Sequence, residues 1–140
     1  MPISEPRARE LLYAAHEAFN RRDIDALMNV YVDDVVYWSN FGGVDGAPLI
    51  IEGRDNLKAF IEGWAGLESL SVPENFRLID GVGHVTAEFF IKHLATGLAH
   101  SSTFRQQVSY RDDRISRLEE FHDAKAFAAF VAMMQRGTGA

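Results

Sequence analysis

From His84 to His122 apolar and polar residues alternate almost without a break, and this constrains the fold more than any other feature of the chain. Alternation with a period of two places one set of side chains on each face of a strand. Turn residues divide the stretch at Thr96-Gly97 and at Asp112-Asp113. The spacing therefore predicts strands over 84–94, 100–110 and 114–122, joined by hairpins. A sheet with one apolar face must cover it, and the cover has to come from elsewhere in the chain.

The first half supplies it. Leu11, Leu12, Ala15, Ala18 and Phe19 form the stripe of a helix over 5–20, with Ser4 as N-cap and Pro6 where a missing amide costs little. Ile24, Leu27, Met28 and Tyr31 give a second helix behind the N-cap Asp23, and Leu57, Phe60, Ile61 and Trp64 a third after Gly53. A last helix from Asp123 carries Phe127, Phe130, Val131 and Met134, and Gly137 ends it. A short strand is expected over 35–39 and a weaker one over 75–80. Helices first and strands later predict one α+β domain, a curved antiparallel sheet closed by N-terminal helices into a cone around one pocket.

With Thr96-Gly97 as a two-residue loop, Glu88 sits opposite Arg105, Phe89 opposite Phe104 and Val85 opposite Val108. His93 and His100 then meet near the tip. The inner face carries Val85, Ala87, Phe89, Ile91, Phe104, Gln106 and Val108; Phe90, Thr103, Arg105 and Gln107 lie outside. On the last strand, strict alternation after Ile115 would bury Arg117 and Glu119, at a cost of several kcal/mol for unpaired charges. A one-residue bulge near Ser116 reverses the faces and turns Leu118, Glu120 and His122 inward.

Composition excludes several classes. The chain has 140 residues, no cysteine, a formal charge of −6 and a pI near 5.3. The absence of cysteine removes disulfides, thiolate metal sites and cysteine nucleophiles. The acidic balance and lack of a basic patch argue against nucleic acid. No apolar run approaches a membrane span, and the first residues do not resemble a signal peptide, so a cytoplasmic protein with no membrane partner is expected.

Asn20-Arg21-Arg22-Asp23-Ile24-Asp25-Ala26-Leu27 with Tyr31-Val32-Asp33-Asp34-Val35, then Ile51-Glu52-Gly53-Arg54-Asp55, then the ending from Ile115 through Glu120 to Asp123, resembles the SnoaL-like family. This family belongs to the superfamily that resembles nuclear transport factor two, with its cystatin-like fold. The superfamily includes ketosteroid isomerase, limonene epoxide hydrolase and polyketide cyclases. The resemblance implies a pocket and a homodimer, and the outer sheet face, with Phe90 amid Thr103, Arg105 and Gln107, offers a surface for it. It places Tyr37 where the epoxide hydrolase holds water with a tyrosine. Ser39 falls on that enzyme's asparagine and on the isomerase's aspartate base, and Glu120 on a catalytic aspartate of the hydrolase. The hydrolase's inward Arg and Asp are replaced here by a face of Ala87, Phe89 and Ile91, and the isomerase's helix-one tyrosine by Ala15. Neither mechanism transfers whole.

The residues themselves nominate a site. Glu120 among Leu118, Phe104 and Phe89 is expected to be desolvated, with a raised pKa suited to a general acid or base; alternatively it bonds Gln106 and serves structure. His122 on the same face either shares proton transfer with it or caps the sheet edge. Tyr37 is either a donor to a substrate oxygen or a core tyrosine. Ser39 lacks a base and a nucleophile elbow. His16, at the edge of the first helical stripe, and Trp64, with Phe89, Phe104, Gln106 and Leu118, complete the expected pocket wall. No HxH or HExxH spacing suggests a metal, and none is expected. The stretch 41–48 is not a phosphate loop; it is either a lid at the pocket mouth or a long turn. The expected function is cofactor-free proton transfer on a small, apolar, oxygenated molecule (isomerisation, cyclisation, dehydration or hydrolysis). The alternative is a non-catalytic ligand-binding or assembly module.

Overall fold

The computed structural model describes residues 2–42 and 46–137. Its elements are α1 (Glu5–Arg21), α2 (Ile24–Met28), β1 (Tyr31–Ser39), β2 (Leu49–Glu52), α3 (Arg54–Glu62), β3 (Leu67–Ile79), β4 (Val82–His93), β5 (Ala99–Arg111), β6 (Arg114–Phe121) and α4 (Ala124–Gly137), with a 3₁₀ turn over Gly63–Gly66. The six strands form one curved, unclosed sheet in the order β2-β1-β6-β5-β4-β3. β1 and β6 run parallel and every other neighbouring pair antiparallel, so the sheet is mixed rather than purely antiparallel. The parallel pair follows from topology: β6, the last strand of the meander β3–β6, comes back beside β1, the first strand of the chain. Helices α1, α2 and α3 cover the concave face, and no described helix is long and apolar enough to cross a membrane.

The caps act as expected. Ser4 Oγ accepts from the Arg7 amide at 3.3 Å, and Asp23 from Ala26 at 3.2 Å. α2 is shorter than its pattern: it ends at Met28, and Tyr31 opens β1, opposite Ile115, with its ring in the core. An apolar residue at i+7 is common to a helix and to a strand that follows a short one, so periodicity could not separate them. The Leu49–Glu52 strand was not expected. β3 begins eight residues before the expected start, at Leu67 rather than Asn75. Its inward positions include Ser69 and Ser71, both buried, while Leu70 and Val72 point outward and are about half exposed. This inverts the usual polarity and hid the strand.

The β4–β5 register differs from the two-residue hairpin. The turn takes residues 94–98, with Gly97 at φ 76° and its amide donating to the His93 carbonyl at 2.8 Å. Glu88 therefore faces Thr103, not Arg105; Phe89 faces Ser102; Val85 faces Gln106. His100 lies opposite Ile91, and His93 bonds Thr96 Oγ1 at 2.8 Å instead of meeting His100. A slip of two residues keeps every side chain on its face, so the inner set survives. The β5–β6 turn at Asp112-Asp113 has φ values of 55° and 58°, those of a type I′ turn. Ser109 pairs with Arg117 and Tyr110 with Ile115, which leaves Ser116 as the extra residue of a bulge. Beyond it Leu118, Glu120 and His122 face inward.

Candidate active site

The helices and the concave sheet enclose a cavity of about 340 Å³. Its volume falls in the usual range for small-molecule pockets. His16, Tyr37, Ser39, Trp64, Phe89, Phe104, Gln106, Leu118, Glu120 and His122 all line it. Most of the wall is apolar, with Phe19, Phe60, Trp64, Phe89 and Phe127 presenting rings. The polar groups gather where α1, β1, β5 and β6 converge.

Glu120 is the centre of that group. β6 presents it inward because of the Ser116 bulge, β1 brings Tyr37 beside it through the parallel pairing, and β5 places Gln106 directly opposite. Tyr37 Oη donates to Glu120 Oε1 at 2.6 Å, and Gln106 Nε2 donates to Oε2 at 2.7 Å. His122 Nε2 lies 3.0 Å from Oε1, and its ring stacks on Phe104 with centroids 4.5 Å apart. Asn40 holds the His122 backbone on both sides: its Nδ2 donates to the carbonyl at 2.9 Å, and its Oδ1 accepts from the amide at 2.8 Å. His122 Nδ1 is buried and has no protein partner.

This arrangement corrects the expected titration of Glu120. Burial does push its carboxyl up, but the bonds from His122, Tyr37 and Gln106 outweigh burial and hold it below the ordinary value of 4.5. Glu120 is thus ionised at neutral pH. It can accept a proton and has none to give. Burial, with the adjacent Glu120 charge, raises the Tyr37 phenol well above its usual range, so it stays a donor. His16 is buried on α1, with Nε2 2.6 Å from Gln106 Oε1 and Nδ1 2.7 Å from Ser71 Oγ. Burial lowers its pKa and keeps it neutral. Ser39 Oγ accepts the Phe41 amide at 3.2 Å, a turn contact rather than an activated nucleophile.

Asn20, Asn40 and Ser71 were not among the site residues expected from the sequence, although Asn20 opens the motif that carries the resemblance. Asn20 Nδ2 donates to the Ser71 carbonyl at 2.8 Å, and its Oδ1 accepts the Ser71 amide at 2.9 Å, anchoring α1 to β3. The only local signal was a polar residue at an inward strand position, legible for Ser71 once β3 is known. Phe127, Val131 and Met134 on α4 reach the cavity, and Phe127 meets Phe41 at 4.6 Å between centroids. Of the 41–48 stretch, Phe41 and Gly42 line the cavity, while residues 43–45 lie outside the described residues and the choice between lid and turn rests there. No cluster of three or more His, Asp or Glu that could hold a metal occurs among the described residues.

Comparison with known proteins agrees with this architecture. The model of the SnoaL-like domain matches residues 12–118, and the chain belongs to that family. A proposed polyketide cyclase from Xanthomonas campestris pv. campestris superposes with a TM-score of 0.78 at 20% identity, over 91% of this chain and 98% of that one. An NTF2-like protein of unknown function from Burkholderia pseudomallei gives 0.79 at 19%, over 92% and 98%. An LEH-like epoxide hydrolase from M. tuberculosis gives 0.75 at 16%, over 97% and 95%. No curated protein matches the sequence. At these identities the neighbours establish the fold; their activities differ among themselves.

Proposed function

We propose that this chain is an enzyme that transfers protons on a small, apolar, oxygenated substrate such as a cyclic ketone or a polyketide-like diketone. Glu120 is the proton acceptor; Tyr37 and His122 hold the oxygen that gains charge. The observation that carries this reading is a carboxylate at the wall of a mostly apolar cavity with three hydrogen-bonding partners, Tyr37, Gln106 and His122. In the free protein Tyr37 and His122 both bond Glu120 Oε1. A carbonyl oxygen that takes those two donors leaves Glu120 with Gln106 alone. Burial then dominates, and the carboxylate becomes a stronger base as the substrate docks. The same contacts stabilise the developing enolate. The neighbouring cyclase and epoxide hydrolase folds are consistent with chemistry of this kind.

The test is α-hydrogen exchange in D2O, followed by NMR, across neutral cyclic ketones and 1,3-diketones. Exchange by the parent protein and its loss in Glu120→Gln are expected. Exchange at the parent rate in Glu120→Gln overturns the assignment. Unchanged ligand affinity in the variant with no exchange in either protein identifies a binding module instead. We also propose that two copies associate through the outer sheet face, where exposed Leu70 and Val72 flank Phe90. Light scattering should then give twice 15.7 kDa, and Leu70→Lys should return it to the monomer mass.

A further inference from the structure

His16 is buried, and its two ring nitrogens bond Ser71 and Gln106, so it meets Glu120 only through the Gln106 amide and through the field of its charge. Hydrogen-bond bookkeeping determines which nitrogen carries its proton. An ionised carboxylate can only accept. The group of Gln106 at 2.7 Å from Glu120 Oε2 is therefore its NH2. The other end of that amide is its oxygen, and it lies 2.6 Å from His16 Nε2, which must carry a hydrogen. A neutral imidazole has one N–H, so Nδ1 is bare and receives the Ser71 hydroxyl proton across 2.7 Å. Ser71 Oγ also sits 3.5 Å from Asn20 Oδ1, a second acceptor at the limit of hydrogen-bond reach.

Each link works equally well in reverse. If position 120 offers a donor at the Oε2 corner, Gln106 must present its oxygen there and turn its NH2 toward His16. Nε2 must then be bare, the imidazole proton moves to Nδ1 and faces Ser71 Oγ, and the Ser71 hydroxyl swings to Asn20 Oδ1. We infer that His16 is a positioning residue: its tautomer sets which end of the Gln106 amide faces Glu120, and the chain Ser71–His16–Gln106–Glu120 reverses when Glu120 loses its charge. In the resting direction it holds Glu120 in the proton-accepting form; after proton transfer the reversed direction satisfies the neutral acid. Burial favours the neutral imidazole that this exchange requires. The functional meaning rests on Glu120 being the proton acceptor. The polarity of the chain is read without substrate, so either reading can fail without the other.

The experiment is long-range ¹H–¹⁵N correlation on uniformly ¹⁵N-labelled full-length protein near neutral pH, with the His16 signals assigned by their loss in His16→Gln. The parent should show His16 as the Nε2–H tautomer. In Glu120→Gln, Tyr37 and His122 keep the new amide oxygen at the Oε1 corner and leave its NH2 facing Gln106, so His16 should appear as the Nδ1–H tautomer. Gln106→Met removes the link, and the parent's single tautomer should give way to a mixture; this variant also carries the test should Glu120→Gln not fold. An Nδ1–H tautomer in the parent overturns the proposal. So does an unchanged tautomer in a folded Glu120→Gln, or a pure Nε2–H tautomer in Gln106→Met. A role confined to packing moves none of these signals.

Discussion

Two apolar clusters share the concave face of the sheet, and they fill space differently. The first joins α1 and α2 to β1, β5 and β6; its Val35, Val108 and Ile115 are 0% exposed and stand back from the cavity, while its Leu12 and Leu27 face it. The second, under α4, is richer in rings: Phe89, Phe104, Phe127 and Phe130 sit with Ala87 and Ile91, and Phe41 and Trp64 are partly buried against them. Branched aliphatic chains interdigitate to crystal-like density. Flat rings meeting edge to face, as Phe89 and Phe104 do at 5.8 Å, leave wedges between them. Val35, Val108 and Ile115 are therefore filled core, whereas the cavity wall draws on Leu12 and Leu27 as well as on the rings, and His16, Gln106 and Glu120 stand between the two. A boundary suits the proposed proton acceptor: the filled side holds its partners, and the hollow side leaves space beside it.

That contrast can be broken by measurement. The largest effect is expected in the filled cluster. Ile115→Ala should cost about 2–5 kcal/mol, read by chemical denaturation, because the void it leaves cannot collapse. A loss under about 1 kcal/mol would mean that this side is no better packed than the other. Next is Glu120→Gln, expected to slow ketone exchange roughly 100-fold, about 2.7 kcal/mol in barrier. Its thermal melt should also fall, since a carboxyl held below 4.5 by its partners stabilises the fold at neutral pH.

Acidification sharpens the role of the boundary. His16 has a folded pKa below 6.5, so the unfolded chain binds more protons in mild acid; this contribution is complete above about 6.5 and declines as pH falls. Glu120 adds a second loss below about 4.5. Each group contributes at most about 1.4 kcal/mol per pH unit. Denaturation midpoints should therefore drop between pH 7 and 5, and His16→Gln should flatten that slope; an equal slope in the variant would assign the loss elsewhere. The smallest effect belongs to the hollow side. Met134→Ala, on α4, should change stability by less than about 1 kcal/mol while weakening binding of an apolar ligand. A loss as large as that of Ile115→Ala would erase the distinction.

The sequence by itself determined the faces. Period-two alternation from Val85 to Val108 specifies the same inward set in both the expected and the observed register, because a hairpin slip of two residues preserves every face. The charge of Arg117 and Glu119 forced the Ser116 bulge, since burying both was too costly, and the bulge turned Glu120 and His122 into the cavity. The pocket wall was legible for the same reason. Tertiary structure alone decided the partners. Whether Glu88 met Arg105 or Thr103 depended on a turn of residues 94–98, which carries no register signal beyond Gly97. β3 was hidden because it buries serines and exposes Leu70 and Val72. Burial opposes the ionisation of Glu120; it is favoured first by His122, two residues on along the same face, and then by Tyr37, arriving on a parallel strand 83 residues away in the chain, and Gln106 from β5. Burial can be read from pattern, since it belongs to a face; a pKa belongs to the whole set of donors around one group, and distant segments complete that set only when the chain has folded.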